Sequence, residues 1–233
     1  MKLGRPALLA TLALLGTGFA LSQTSTPTPG SYVINDGAWG TLQIGPQGKF
    51  QIETVGPNAH ICGLDGVMTD GKSKLKGSNC EVQFSLEGQD VRVTPRPPEA
   101  CKEFCGMRAW FEGVYKKPPP PCTRQSIAQA RKKFKKEYVA KSYSEALSTL
   151  SPVVTQCQDF LHKVDWAWVL NDLALTQLRL GDSKACIRTL QSLAADAALS
   201  DEAIMQKYPP ADADAYVPVM GATRTNLKLC SRR

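Results

Sequence analysis

Eight cysteines in a chain of 233 residues, the first of them at Cys62, constrain this fold more than any other feature. What precedes them says how they are used. Lys2 and Arg5 lead into an apolar stretch from Ala7 to Ala20, and Ala20-Leu21-Ser22 places small residues at the −3 and −1 positions of a cleavage site. This is the pattern of a secretory signal peptide over residues 1–22, and it is too short for a membrane anchor, which needs about 20 mostly apolar residues. No cysteine stands at the expected cleavage site, where Gln23 follows Ser22, so lipid attachment to an N-terminal cysteine has no residue to use. Export carries an even number of cysteines into an oxidising compartment, where they pair. The expectation is a periplasmic or secreted protein with no membrane span and with all eight cysteines, Cys62, Cys80, Cys101, Cys105, Cys122, Cys157, Cys186 and Cys230, in disulfides.

The hydrophobic period changes once along the chain. Residues 23–30, Gln-Thr-Ser-Thr-Pro-Thr-Pro-Gly, form a polar leader not expected to pack. From Ser31 the period is two: Leu42 and Ile44, Phe50 and Ile52, Val82, Phe84 and Leu86, then Val91 and Val93, with reversals at Pro46-Gln47-Gly48, Asp70-Gly71 and Glu87-Gly88. This predicts an antiparallel β-module of about six strands over residues 31–115. Lys116-Lys117 and the four prolines Pro118 to Pro121 then predict a stiff, extended connector over 116–122.

Beyond the prolines the period is 3.6. Ile127, Ala130, Phe134 and Tyr138 make one stripe behind Thr123 as N-cap, and Tyr143, Leu147, Leu150 and Val154 make a second, in which Pro152 should kink or restart the helix. A third helix, from about Val164 to Leu180, is apolar almost all round and belongs in the centre. A fourth carries Cys186, Leu190 and Leu193, and the last starts after Pro209-Pro210 with Tyr216, Met220, Thr223, Leu227 and Cys230 on one face. The fold class is therefore α+β, with five helices in an all-α bundle over residues 123–233.

Tyr143-Ser144-Glu145-Ala146-Leu147 and Leu180-Gly181-Asp182-Ser183-Lys184-Ala185-Cys186 resemble the turn and second-helix start of tetratricopeptide repeats. The resemblance puts Ala146 and Cys186 at the small position where the helix pair packs closely, although their 40-residue spacing exceeds the family's period of about 34. In the first half, Gly37-Ala38-Trp39-Gly40-Thr41-Leu42, His60-Ile61-Cys62-Gly63-Leu64-Asp65-Gly66 and Phe104-Cys105-Gly106-Met107-Arg108-Ala109-Trp110-Phe111 resemble a cysteine-rich module of exported bacterial proteins of unassigned function. That resemblance implies a periplasmic setting and no activity.

Catalysis is not expected. The chain has two histidines, His60 and His162, one in each half, and no Gly-x-Ser-x-Gly motif, while its cysteines are committed to disulfides. Asp65 and Asp70 beside glycines read as turn residues rather than as a glycosidase pair. Cys101-x-x-x-Cys105 lacks metal-site spacing, and no glycine-rich phosphate loop is present, so no metal and no cofactor is expected. Cleavage after Ser22 leaves 211 residues and lowers the formal charge from +7 to +5, and six of the basic residues fall between Arg131 and Lys141. In an exported protein such charge meets envelope polymers and acidic proteins rather than nucleic acid. The expected function is a non-catalytic interaction protein, a scaffold or adaptor for a protein or peptide partner in the cell envelope. The alternative is an inhibitor or immunity protein against a cell-wall hydrolase such as lysozyme. Candidate partner-binding residues are Arg108, Trp110, Phe111 and Tyr115, of types that dominate binding hot spots, and the stripe Lys132, Lys133, Lys135 and Lys136.

Strand parity and helix geometry also predict the pairing. Cys62 shares a face with Leu64, and Cys80 with Val82, Phe84 and Leu86, which pairs Cys62 with Cys80. Cys101 and Cys105, one helical turn apart, pair locally, unless Cys122 exchanges into the β-module. Cys122 and Cys157 meet at the ends of a helix hairpin. Cys186 and Cys230, both on apolar stripes, take each other.

Overall fold

The computed structural model describes residues 26–232, so the signal peptide expected over residues 1–22 lies outside them. Two four-stranded antiparallel sheets build the first half. Strands β1 (Gly30–Asp36), β2 (Ala38–Ile44), β3 (Lys49–Val55) and β4 (Ile61–Val67) form one meander, in that order. Strands β5 (Lys72–Lys74), β6 (Glu81–Glu87), β7 (Asp90–Arg96) and β8 (Gly113–Tyr115) form the other. The period-two runs turn into alternating burial, as in β3, where Phe50, Ile52 and Thr54 point inward and their neighbours outward. Inward residues of both sheets share one core that includes Tyr32, Leu42, Ile52, Val82, Val93 and Tyr115, and Phe50 meets Phe84 edge to face at 4.8 Å between ring centroids. The count exceeds six because β5 and β8 have three residues each, too few to show a period. The leader does pack where it is described: Pro27 is buried, and the Thr28 carbonyl accepts a hydrogen bond from the Tyr32 hydroxyl at 2.8 Å.

A short helix, α1 (Pro98–Cys101), lies between β7 and β8. The helical half follows with α2 (Arg124–Val139), α3 (Tyr143–Gln156), α4 (Lys163–Arg179), α5 (Ser183–Leu190), α6 (Ala194–Ala197), α7 (Asp201–Lys207) and α8 (Pro210–Cys230). The Thr123 hydroxyl caps α2 by accepting from the Ser126 amide. Helix α3 runs through Pro152 without restarting. Pro152 is exposed on its outer side, where the missing amide hydrogen of proline is not a buried loss. Helices α6 and α7, of four and seven residues, are additional to the expected five and too short for a periodic signal. Central α4 buries Leu170, Leu173 and Ala174, as its apolar circumference requires. It also buries Asn171, whose amide donates to the Ala167 carbonyl and to Thr223 and accepts from Asn226, so three buried polar side chains satisfy one another.

Four disulfides close the fold, and the first two differ from expectation. Cys62 pairs with Cys105 and Cys80 with Cys101, while Cys122–Cys157 and Cys186–Cys230 are as predicted. Cys62 and Cys80 do enter the same core, but Cys62 lies on β4 of one sheet and Cys80 immediately precedes β6 of the other. Shared direction places two side chains in one core without bringing their Cα atoms within the roughly 4–7 Å a disulfide spans. The segment after β7 supplies both partners. Helix α1 brings Cys101 to 4.8 Å from Cys80 (Cα–Cα), and Cys105, extended rather than helical, bridges to Cys62 at 4.0 Å. The turn between them separates Cys101 from Cys105.

The connector is fastened along its length. Lys116 pairs its backbone with Val33 and its ammonium with Asp159 at 2.8 Å, the Lys117 amide donates to Asp90, and Cys122 is bonded to Cys157. Among the described residues no helix is long and apolar enough to cross a membrane.

Candidate functional site

The two halves meet along a junction made by the β3–β4 loop, the start of α4 and the start of α8. Pro209, at the N-cap position of α8, has no side chain to satisfy the free amides of the helix. Asn58 does this from the other half of the molecule: its Oδ1 accepts from the Ala211 amide at 3.1 Å, and its backbone N–H donates to Asp212 Oδ2 at 3.0 Å. The reciprocal pair is a capping box formed between modules instead of within one helix. Asn58 reaches α8 because it sits at φ +60°, a conformation asparagine tolerates better than most residues. A further contact, from the Asn35 amide to the Leu161 carbonyl at 3.1 Å, lies beside it.

These contacts border a cleft of about 420 Å³ whose walls include Trp39, Val55 and Pro57 from the β-half and His162, Lys163 and Tyr208 from the helical half. His162 is the N-cap of α4, its Nδ1 accepting from the Val164 amide at 3.4 Å, which leaves the proton of the neutral ring on Nε2. Burial pushes its pKa below the ordinary histidine value, Lys163 adds to this, and Asp165 and Asp212 oppose it. Trp39 stands edge-on to the His162 ring at 6.1 Å, and its buried indole Nε1–H has no partner among the described residues. Lys163 lies over the Tyr208 ring at 4.1 Å and the Tyr216 ring at 5.2 Å. Both tyrosine hydroxyls donate to Asp196, at 2.8 and 3.0 Å. Burial and the Asp196 charge push both tyrosine pKa values up. Burial alone would raise the Asp196 pKa, but the hydrogen bonds from Lys207, Tyr208 and Tyr216 hold it below the usual carboxylate range. Of the two tyrosines, Tyr208 lines the cleft, and its hydroxyl is tied to Asp196 behind it.

An apolar rim adjoins the cleft. The loop 106–110 lies on the ends of β3 and β4, held by the Cys62–Cys105 bond, by the Gly106 amide on the Ile61 carbonyl and by the Thr54 hydroxyl on the Trp110 carbonyl. A Cβ at Gly37, which lines the cleft, would stand 2.9 Å from the Trp110 ring, so the indole rests where only glycine leaves room. Met107 is 92 % exposed, Ile61 62 %, and Val55 and Trp110 37 % each. Arg108 is exposed beside them.

Of the residues nominated from sequence, Arg108 and Trp110 thus stand at this rim. Phe111 and Tyr115 do not, because both are buried in the β core, with the Tyr115 hydroxyl donating to the Phe111 carbonyl at 2.8 Å; neither is open to a partner. Lys132, Lys133, Lys135 and Lys136 are exposed on α2, a surface separate from the cleft. Sequence reasoning missed Trp39, Asn58, His162, Lys163, Tyr208 and Asp212. The one available signal was the loop Gly56-Pro57-Asn58-Ala59, which repeats the form of Gly45-Pro46-Gln47-Gly48 but carries a residue able to cap. No serine or cysteine lines the cleft, and among the described residues no group of three or more His, Cys, Asp or Glu is placed to hold a metal ion. Comparison with protein-family models, with curated proteins and with solved structures finds no match.

Proposed function

We propose that this chain is an exported, non-catalytic binding protein of the periplasm or cell exterior, a scaffold that holds a protein or peptide partner of the cell envelope on the junction surface. The four disulfides fit an oxidising compartment. The observation that carries the binding role is the rim: Met107 and Trp110 on a covalently fastened loop, with Val55 and Ile61 on the ends of the strands beneath it, expose apolar area beside the cleft. Trp110, whose ring is seated against Gly37, loses little conformational entropy on docking, and tryptophan is among the residues that dominate binding energy. The tetratricopeptide-like helix pairs supply the frame on which the cleft is built, not the contact face. The test is capture of envelope proteins by the immobilised mature protein, with Met107→Glu and Trp110→Ala beside the unaltered chain. Loss of the same prey in both variants, at unchanged melting temperature, supports the reading. Capture that survives both removes the junction as the binding surface.

A second reading, an inhibitor or immunity protein against a cell-wall hydrolase, draws on the same loop. A disulfide-held loop that exposes Met107 almost completely offers an apolar side chain to an enzyme cleft. Adding the protein to lysozyme acting on cell-wall suspensions separates the two: slowed lysis favours inhibition, and undiminished lysis leaves the scaffold.

A further inference from the structure

Charge in this protein is segregated. Residues 116–141 hold nine Lys or Arg against the single acid Glu137, whereas residues 26–115 hold eight against ten and residues 142–233 nine against ten. The positive charge of the molecule is therefore the charge of one helix and the connector before it. On α2, Arg131 is answered by Asp165 at 3.4 Å and Lys133 by Glu137 at 3.6 Å. Lys132, Lys135 and Lys136 are exposed and have no acidic partner among the described residues. Arg124, Ala128, Lys132, Lys135 and Val139 follow one another at intervals of three or four, so they form a single exposed stripe along a 16-residue helix, about 24 Å in length. The opposite side, with Ile127 and Phe134, is buried in the core shared with α3, and the Thr123 cap and Cys122–Cys157 hold the start of the helix.

We propose that this outer face of α2 docks a linear polyanion of the cell envelope, an extended polymer whose negative groups recur along its length, independently of whatever the junction binds. The chemistry selects this occupant. A straight row of point charges with no pocket matches a chain better than a compact anion. Among the described residues, three of the four unpaired basic residues on this face, Lys132, Lys135 and Lys136 beside Arg124, are lysines, whose ammonium groups attract charge without the bidentate geometry by which arginine picks out a single carboxylate or phosphate. A membrane surface would require a broad apolar face beside the charges, and Val139 is the one large apolar residue exposed on α2. Single-stranded nucleic acid would require aromatic platforms, and the two aromatic residues of the helix, Phe134 and Tyr138, pack against each other in the helical core.

The test titrates the mature, oxidised protein with labelled polyphosphate and with poly-L-glutamate over a range of salt concentrations. Both should bind, with the logarithm of affinity falling linearly against the logarithm of salt. The triple variant K132E/K135E/K136E should lose about tenfold or more in affinity and flatten the salt slope, and K132Q/K135Q/K136Q should do so to a smaller degree. K72E/K74E/K76E makes the same change in net charge on exposed lysines of the β-half and should shift affinity by no more than about twofold. Circular dichroism melting of each variant separates lost binding from lost folding. Equal weakening by the α2 and β-half triples would overturn the proposal, leaving net charge alone. Tighter binding at equal charge to phosphatidylglycerol vesicles or to duplex DNA would overturn it in favour of a membrane surface or a nucleic acid.

Discussion

In the β-half, Cys62–Cys105 and Cys80–Cys101 both run from a strand or its edge to the segment between β7 and β8; in the helical half, Cys122–Cys157 and Cys186–Cys230 both join helices that already pack. The β-half segment has little regular structure, a four-residue helix and one further turn, yet it supplies Cys101 and Phe111 to the core and carries the exposed rim. Few backbone hydrogen bonds hold it, so the two crosslinks do. Cys122 and Cys157 stand at ends that the α2–α3 hairpin brings together in any case, and Cys186 and Cys230 lie on the buried faces of α5 and α8. A disulfide that repeats what packing dictates is legible from sequence, and one that replaces packing is not.

The largest effect that tests this contrast comes from removing one bond in each half. In the chain-entropy model C62A/C105A costs about 4 kcal/mol for its 43-residue separation, and C122A/C157A a similar amount for 35 residues. The size of the loss does not distinguish the halves, but its location does. C62A/C105A should open residues 98–112 to limited proteolysis while α2–α8 stay protected, whereas C122A/C157A should lower the unfolding midpoint with that segment intact. Mass mapping of the first cuts decides. First cuts within α2–α8 in C62A/C105A would break the comparison.

A smaller effect probes whether the halves are separate. Asn58→Ala removes the cap that α8 lacks on its own chain and should cost about 1 kcal/mol in denaturant unfolding, with Asp212→Ala similar. The double variant should cost about the sum of the two, since Asn58→Ala removes the acceptor for the Ala211 amide and Asp212→Ala the acceptor for the Asn58 backbone amide; a coupling of about 0.5 kcal/mol or more would show that the two bonds depend on one shared loop geometry. No loss in either single variant would mean that the junction does not join the halves energetically.

The smallest effect is a pH dependence at the junction. The folded pKa of His162 lies below the unfolded value, so the unfolded chain takes up the proton first as pH falls. Stability is complete above the unfolded value, about 6.5, and declines as pH drops below it toward the folded pKa. Asp196, also depressed, adds a loss in the acid carboxylate range as pH falls through its folded pKa. Melting temperatures at pH 7.5 and 5.5 should differ more for the unaltered protein than for His162→Gln. An equal decline in both would remove His162 as the source.

Much of the architecture is local and was therefore legible. Phe50 and Ile52 alternate with polar residues because one face of β3 is buried, Ile127 and Phe134 are seven apart because one face of α2 is buried, and Thr123 precedes α2 because an N-cap is a nearest-neighbour matter. The same locality hid β5, β8, α6 and α7, which are shorter than the periods that would reveal them. Phe111 and Tyr115 look the same in sequence whether they serve a core or a partner.

By itself the sequence determined the fold class, the α2 charge row and the crosslinks Cys122–Cys157 and Cys186–Cys230: period, charge and helix-hairpin geometry act over short stretches of chain, and the apolar stripes left Cys186 and Cys230 for each other. Only the tertiary structure decided that Cys62 takes Cys105, that Asn58 caps a helix some 150 residues later and that Trp39, His162 and Lys163 share one cleft. Those partners are chosen by how two sheets and a bundle dock, and no local pattern records the distance between surfaces that meet only after each has folded.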